Sequence, residues 1–506
     1  MKILPVEKIR EADSYTIENE PITDLDLMER AASKCFEWLV THLQDHRPVK
    51  VFTGTGNNGG DGLAIARMLY RKGFICDIWI TGTPDQMSPS CLINYKRLKR
   101  LKGLTMNILS PKSPFPDLHH DETVIDALFG SGLSRPVTGF HANLIQHINY
   151  SNCQVISIDV PSGFLIDTTN YGKTDPVIIR AHHTLTFLPP KIGFLFPENG
   201  KFVGNWHGLD IGISREFIDN TNVRNHLITK EDVAPLLHKR GKFDHKGTFG
   251  HALLICGGQG KAGAAVLAAR ACLRSGPGLV TVRVPTSGIN ILQTAVPEAM
   301  CSIDPDDAVF SSIPDLSPYS SIAVGPGIGV SDKTAHALKL LIQNSAVPLI
   351  LDADALNILG QNKTWLRFLP RGSILTPHFR EFERLTGKAQ NDFHRNELQR
   401  ELSFKCQVYI VMKGAHTTIT APNGSCWFNS TGNPGMATGG SGDVLTGILA
   451  GLMAQKYGSL EASLLAVYLH GVAGDLATIQ MGQEALIAGD IVNNLGNAFI
   501  HLYGKL

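Results

Sequence analysis

An aspartate opening an apolar helix behind closely spaced glycines is a combination with chemical consequences, and residues 433–451, NPGMATGGSGDVLTGILAG, contain one. Gly439, Gly440 and Gly442 let the backbone approach a ligand and turn its amides toward it, and the helix dipole adds partial positive charge, so the loop favours an anion. From Asp443 onward Val444, Leu445, Ile448, Leu449 and Leu452 have the spacing of an amphipathic helix. Asp443 either caps that helix or takes a proton from a hydroxyl whose oxygen attacks a phosphoryl group held by the same loop. Phosphoryl transfer is the working reading.

Further polar clusters follow short apolar runs. After VKVFT come Asn57, Asn58, Gly59, Gly60 and Asp61, polar side chains among glycines that can hold a cation or clamp a polar ligand. Residues 54–59 fit GxGxxG, but the next strand carries Asp77 inside it and no acid at its end, so a dinucleotide fingerprint is not met. Asp126 lies within an apolar strand ahead of Gly130, Ser131, Gly132, Leu133, Ser134, Arg135 and Pro136, a loop offering amides and an Arg to phosphate. QVISI leads to Asp159 and Ser162, whereas Lys191, between Pro190 and Ile192, reads as solvated rather than as part of the crevice. In the second half, residues 258–263 fit GxGxxG and again lack the following acid. Beyond them, Gly327, Asp352, Asp354, His378 and the turn Lys413, Gly414, Ala415, His416, Thr417 all follow strands. His378 reads as a helix cap or a ligand contact, and Lys413 as a surface turn residue or a phosphate partner.

The elements needed to position these groups are strand–loop–helix units, because ligands of open α/β sheets bind beyond the carboxyl ends of the strands. The predicted fold is α/β in two domains, an N-terminal Rossmann-like three-layer α/β/α domain over 1–215 and a C-terminal α/β domain over 226–506, divided where the pattern fades into polar residues between Ile213 and His226. A chain of 506 residues, 43% hydrophobic and 18% charged, is long enough for two cores. Its net charge of +1 and lack of a basic stripe argue against nucleic acid. Nine scattered cysteines without metal-ligand spacing suit a reducing cytoplasm. The N-terminus has no stretch fit for a signal peptide, and no segment approaches the roughly 18 uninterrupted apolar residues of a membrane span.

The motifs HKGTFGHALLICGGQGKAGAA, LILDADALN, LTPHFREFERL, VMKGAHT and GGSGDVLTGILA resemble those of the ribokinase-like NAD(P)H-hydrate dehydratases. GTGNNGGDGLAIAR, VIDALFGSGLSRP and IDVPSGF resemble the NAD(P)H-hydrate epimerases, and the fusion in this order is similar to the bacterial bifunctional NAD(P)H-hydrate repair enzymes. That resemblance implies a reduced nicotinamide cofactor hydrated at C6 (NADHX or NADPHX), epimerised between R and S forms by the first half and dehydrated in the S form by the second, with ADP giving AMP and phosphate. It implies that Asn57 to Asp61 and Gly130 to Pro136 hold the hydrate, that Asp159 lies at the reacting centre, and that a potassium ion sits near Asn58, Asp126 and Ser162. In the second half it implies Asp443 as proton acceptor, Ala264, Gly327 and His378 against the hydrate, Lys413 to Thr417 and Gly442 at the adenine nucleotide, and magnesium offsetting phosphate charge. A cytoplasmic homo-oligomer is expected. The rival readings are an ATP-dependent kinase of a vitamin or sugar hydroxyl, which shares the GGSGD loop, and a binding protein without activity.

Overall fold

The computed structural model describes residues 1–43, 47–172 and 175–504. The chain divides into two units, one of Lys2–Val223 with Asn391–Phe393, the other of Met1, Arg224–Gln390 and His394–Leu506. The first is built on β1 (Val49–Thr53), β2 (Cys76–Thr81), β3 (Thr105–Leu109), β4 (Thr123–Ala127), β5 (Gln154–Ile158), β6 (His183–Phe187) and β7 (Asn205–Leu209). They form one sheet in the order β3-β2-β1-β4-β5-β6-β7 with every pairing parallel. The chain steps outward from β1 to β3 and then returns to the other side of β1, so the order reverses between β1 and β4. That is where an open α/β sheet leaves a crevice at its strand carboxyl ends. Every residue of β1 and β4 is buried, as expected of central parallel strands covered on both faces.

Helices cover this sheet. Asp24–His42 starts in a capping box between Thr23 and Asp26 and buries Leu27, Met28, Ala31, Ala32, Cys35 and Leu39. The expected glycine loop after β1 is shorter than the sequence suggested, because the next helix begins at Asn57 and runs to Lys72. Its early glycines serve close packing: a Cβ on Gly59 would lie 2.1 Å from the Gly54 carbonyl oxygen, and one on Gly60 would lie 2.7 Å from the Met28 sulfur. Since the obstacle at Gly59 is backbone, Gly59→Ala is expected to cost about 1–3 kcal/mol through overpacking. A lowered denaturation midpoint of this unit would register it.

The second unit holds β8 (Asn225–Ile228), β9 (His251–Ile255), β10 (Leu279–Pro285), β11 (Met300–Asp304), β12 (Ser321–Val324), β13 (Leu349–Leu351), β14 (Ile374–Leu375), β15 (Tyr409–Met412), β16 (Thr418–Thr420) and β17 (Cys426–Asn429). Their order is β11-β10-β9-β12-β13-β14-β15-β16-β17-β8. Pairings through β15 are parallel, β16 runs antiparallel to both neighbours, and β8 lies parallel to β17. The order again reverses beside the first strand of the run, between β9 and β12. Strand β8 falls where the sequence pattern seemed to fade, since a short edge strand needs little apolar content.

The helix carrying Asp443, Ser441–Ala454, is not amphipathic as expected but buried on all sides from Val444 onward. It packs on Ala262–Arg274, and small residues permit the approach: a Cβ on Gly447 would lie 2.2 Å from the Ala268 carbonyl oxygen and one on Gly451 2.8 Å from that of Cys272. Helix Ser459–Met481 is long and apolar enough to cross a membrane by length and composition, with mean hydropathy 1.4, although polar residues interrupt it. In the structure 67% of that apolar window is buried, which is the pattern of a core helix.

Candidate active sites

In the first unit, the ends of β1, β4 and β5 open on a cavity of about 560 Å³. Asn57, Asn58 and Asp61 enter from the helix after β1, Gly130, Ser131, Gly132 and Leu133 from the loop after β4, and Asp159 from the end of β5. Gly59, Gly60, Ser134, Arg135 and Pro136 do not line it. The two glycines are packing spacers, whereas Ser134, Arg135 and Pro136 stand exposed on the far part of their loop.

Asp159, just past β5, adopts φ +61°, a left-handed conformation uncommon for a residue other than glycine. Its Oδ2 accepts the Ser131 amide at 2.8 Å, and its Oδ1 lies 2.9 Å from the Lys191 Nζ. Lys191 is therefore no solvated side chain: it is 2% exposed, lines the cavity, and also donates to the Phe187 carbonyl at 2.7 Å. Burial alone would raise the Asp159 carboxyl, but the Lys191 ammonium and the Ser131 amide outweigh it and hold the group below its ordinary value. Breaking a buried pair leaves a charge uncompensated, so Lys191→Met is expected to destabilise this unit by about 3–5 kcal/mol. The sign follows from Asp159: its depressed folded value means that the pair contributes above the unfolded carboxyl value and is lost as pH falls through the folded one. Urea unfolding of wild type and variant near neutral pH and in acid should show the gap narrowing in acid.

Two further acids reach this cavity without having been singled out in the sequence. Asp13 comes from helix Val6–Asn19 and Asp24 from the next helix. Asp13 is pushed up to about 6 by burial and by Asp159, with Lys191 opposing. Asp61 is raised well above a normal carboxyl, first by burial and then by Asp159 and Asp13. An acid on the helix face that buries Ala12 and Thr16, and a lone cation within FLPPKIGFLF, were the available signals.

Behind Asp159, the Asp126 carboxylate is fully buried, accepting Ser157 Oγ at 2.8 Å and Ser162 through both its amide, at 2.8 Å, and its Oγ, at 2.5 Å. Both polar atoms of the Asn58 side chain are buried without a hydrogen-bond partner among the described residues. Orphaned amide atoms carry a desolvation penalty that a bound group would relieve. An amide oxygen, a carboxylate and a hydroxyl are donors suited to a hard cation.

In the second unit, Asp443 stands in the first turn of Ser441–Ala454, where the leading amides have no helical partner. Burial and the nearby Asp352 push it up to about 6, with Lys413 opposing. Lys413, at the end of β15, donates to Asp352 Oδ1 at 2.7 Å, and Thr446 donates to the other oxygen at 2.8 Å. Burial would lower the Lys413 ammonium, but Asp352 and Glu381 raise it overall. Gly442 lies under this pair, where an added Cβ would sit 3.3 Å from the Lys413 Nζ. Lys413 is thus half-buried beside the anion loop rather than at a surface tip.

Around this centre, Ala264 and Gly327 face each other, an added Cβ on Gly327 falling 3.3 Å from that of Ala264. His378 caps the helix Phe379–Thr386, its Nδ1 accepting the Arg380 amide at 3.1 Å and its Nε2 lying 3.4 Å from Glu381. Thr417 closes the turn through Gly414 at 3.1 Å, with Ala415 between them, and His416 contacts the Asn429 carbonyl at 3.0 Å. Asp352 and the half-buried His470, 3.2 Å from Ser441 Oγ, were not assigned roles from sequence. Both come from elements distant in the chain.

The family model described as NAD(P)H-hydrate dehydratase matches residues 252–495, and that of the YjeF-related protein N-terminus matches residues 24–193. The bifunctional NAD(P)H-hydrate repair enzyme of Moorella thermoacetica is 34% identical over 98% of this chain and 96% of its own. That of Coxiella burnetii is 34% identical over 96% of this chain and 97% of its own. A solved ADP/ATP-dependent NAD(P)H-hydrate dehydratase from Bacillus subtilis, co-crystallized with ATP/Mg2+, is 33% identical and covers 55% of this chain and 98% of its own, with a TM-score of 0.49.

Proposed function

Because this chain belongs to the family of bifunctional NAD(P)H-hydrate repair enzymes, we propose that its two units divide the work in chain order, the first epimerising the R and S hydrates and the second dehydrating the S form with ADP. The observation that carries this reading is the gathering of ionisable side chains at strand ends in each unit, around the cavity at the β1/β4 reversal in the first and about Asp443 after β13 and β15 in the second.

In the first unit the Asp159 carboxylate, held ionised by Lys191, faces the hydrated ring as the proton-moving group at C6. Asn57, Asn58, Asp61 and the Gly130 to Leu133 loop hold the substrate around it. Asn58, Asp126 and Ser162 fit a potassium ion, which would supply fixed positive charge near the substrate's polar groups. The unpaired Asn58 amide supports that assignment.

In the second unit Asp443 takes the proton of the C6 hydroxyl as the oxygen attacks the terminal phosphoryl group of ADP, and AMP departs. The oxygen then leaves C6 as phosphate, a far better leaving group than hydroxide, and loss of a proton from C5 forms the C5=C6 bond of the reduced nicotinamide. Amides from Gly440 to Gly442 and the Lys413 ammonium face the transferring charge. Lys413 to Thr417 contact the nucleotide, Ala264, Gly327 and His378 the hydrate, and magnesium would neutralise phosphate charge.

The purified protein, racemic NADPH hydrate and ADP provide the test, read by the absorbance of the reduced nicotinamide. Full recovery is expected. Half recovery would remove the epimerase, and none would favour a kinase of another hydroxyl. Substituting ATP for ADP in the same assay tests the choice of donor.

A further inference from the structure

The proposed epimerase chemistry leaves two cavity acids, Asp13 and Asp24, unused. Epimerisation at C6 needs two proton carriers, since opening the ring removes a proton from the hydroxyl and delivers one to the ring nitrogen. Asp159 accounts for the first. For the second, the helix Val6–Asn19, which lies ahead of the matched family region starting at residue 24, brings Asp13 to the same cavity.

Building on the epimerase reading of this unit, we propose that Asp13 is a catalytic residue of the epimerisation, exchanging a proton with the ring nitrogen while Asp159 exchanges one with the C6 oxygen. In ring opening the C6 hydroxyl gives its proton to the Asp159 carboxylate, the C6–N1 bond breaks, and N1 takes the proton of Asp13. The product is an open-chain aldehyde. Rotation about the C5–C6 bond turns its other face to N1. Closure re-forms the C6–N1 bond, returns the N1 proton to Asp13 and moves the Asp159 proton to the oxygen, giving the opposite configuration with no net gain or loss of protons or electrons.

Three observations carry this. Asp13 has no hydrogen-bond or ion-pair partner among the described residues, so it does no visible structural work, in contrast to Asp159 with Lys191 and Ser131. Asp61, 7% exposed and also without such a partner, lines the same cavity, as expected where a ligand completes the polar shell. The groups around Asp13 divide the two acids into different protonation states: burial, Asp159 and Asp24 from the neighbouring helix favour its protonated form, Asp61 from the helix after β1 is itself raised well above a normal carboxyl, and Lys191, which favours the Asp13 carboxylate, pairs directly with Asp159. Arg10, on the same helix, lines the cavity as well and donates to the Gly132 carbonyl at 3.2 Å. Two acids whose surroundings push their proton affinities apart form an acid–base pair.

The test follows R-to-S exchange without ADP, so that dehydration is silent, in wild type, Asp13→Asn and Asp13→Glu. Asp13→Asn is expected to slow exchange about 100-fold or more and to keep ADP-dependent dehydration of the purified S hydrate at the wild-type rate. Wild-type exchange should decline as pH rises above about 6, and that limb should vanish in Asp13→Asn and return, displaced, with partial activity in Asp13→Glu. Exchange at the wild-type rate in Asp13→Asn would overturn the inference, and so would a slower rate with the same pH limb, which is what a purely structural residue gives. A wild-type protein that dehydrates the S form and exchanges nothing would instead overturn the epimerase reading, and this inference with it.

Discussion

Replacing Asp443 with Asn is expected to slow ADP-dependent dehydration of the S hydrate by about 10²–10⁴-fold, the range for removing a positioned general base, while leaving R-to-S exchange intact. The substitution keeps shape and removes only the ability to accept the hydroxyl proton. Wild-type activity should carry the corresponding pH signature. Burial and Asp352 place the Asp443 carboxyl at about 6, so the competent ionised form prevails above that value and dehydration falls as pH drops through it. The Asn variant should lose this acid limb. If it consumed the S hydrate with ADP at the wild-type rate, Asp443 would be only the first-turn acid of its helix.

The complementary result is expected at the other site. Asp159→Asn should abolish R-to-S exchange, with losses of about 10²–10⁴-fold, and leave dehydration of the S form unchanged, so that a racemic hydrate yields half its reduced nicotinamide. The variant also strands Lys191, 2% exposed, without its 2.9 Å partner. A buried cation left unpaired is costly, so a lower unfolding midpoint should accompany the lost exchange. The two effects separate by comparison with Lys191→Met, which destabilises the unit while retaining the carboxylate. Unchanged exchange in Asp159→Asn would refute its place at the reacting centre.

Much of this arrangement was legible in the amino-acid order because the candidate groups lie at strand ends, where a strand, its loop and the next helix are contiguous in sequence. Asn57, Asn58, Gly130 to Leu133, Asp159 and the Asp443 loop could all be read that way, and the structure gathers the first set around one cavity and sets Asp443 beside Asp352 and Lys413. Local pattern failed where burial was decided from outside the segment. Gly59 and Gly60 read as ligand contacts, and the structure gives them a packing role that the sequence did not show, since the carbonyl of Gly54 and the side chain of Met28 fill the space a Cβ would need. The helix after Asp443 looked amphipathic because its small residues are weak apolar signals, yet Gly447 and Gly451 let another helix cover that face.

By itself, then, the sequence determined the two α/β units and singled out the loops and acids at their strand ends as candidates, since periodicity and turn chemistry are local properties. Only the tertiary structure decided which distant charges set the behaviour of those acids. Lys191 stands 32 positions after Asp159, Lys413 stands 30 before Asp443 with Asp352 61 before that, and Asp13 arrives from the N-terminal helix. Electrostatic coupling depends on separation in space and on burial rather than on separation along the chain, so proton affinity at each site became readable only when the folded sheet ends brought these groups together.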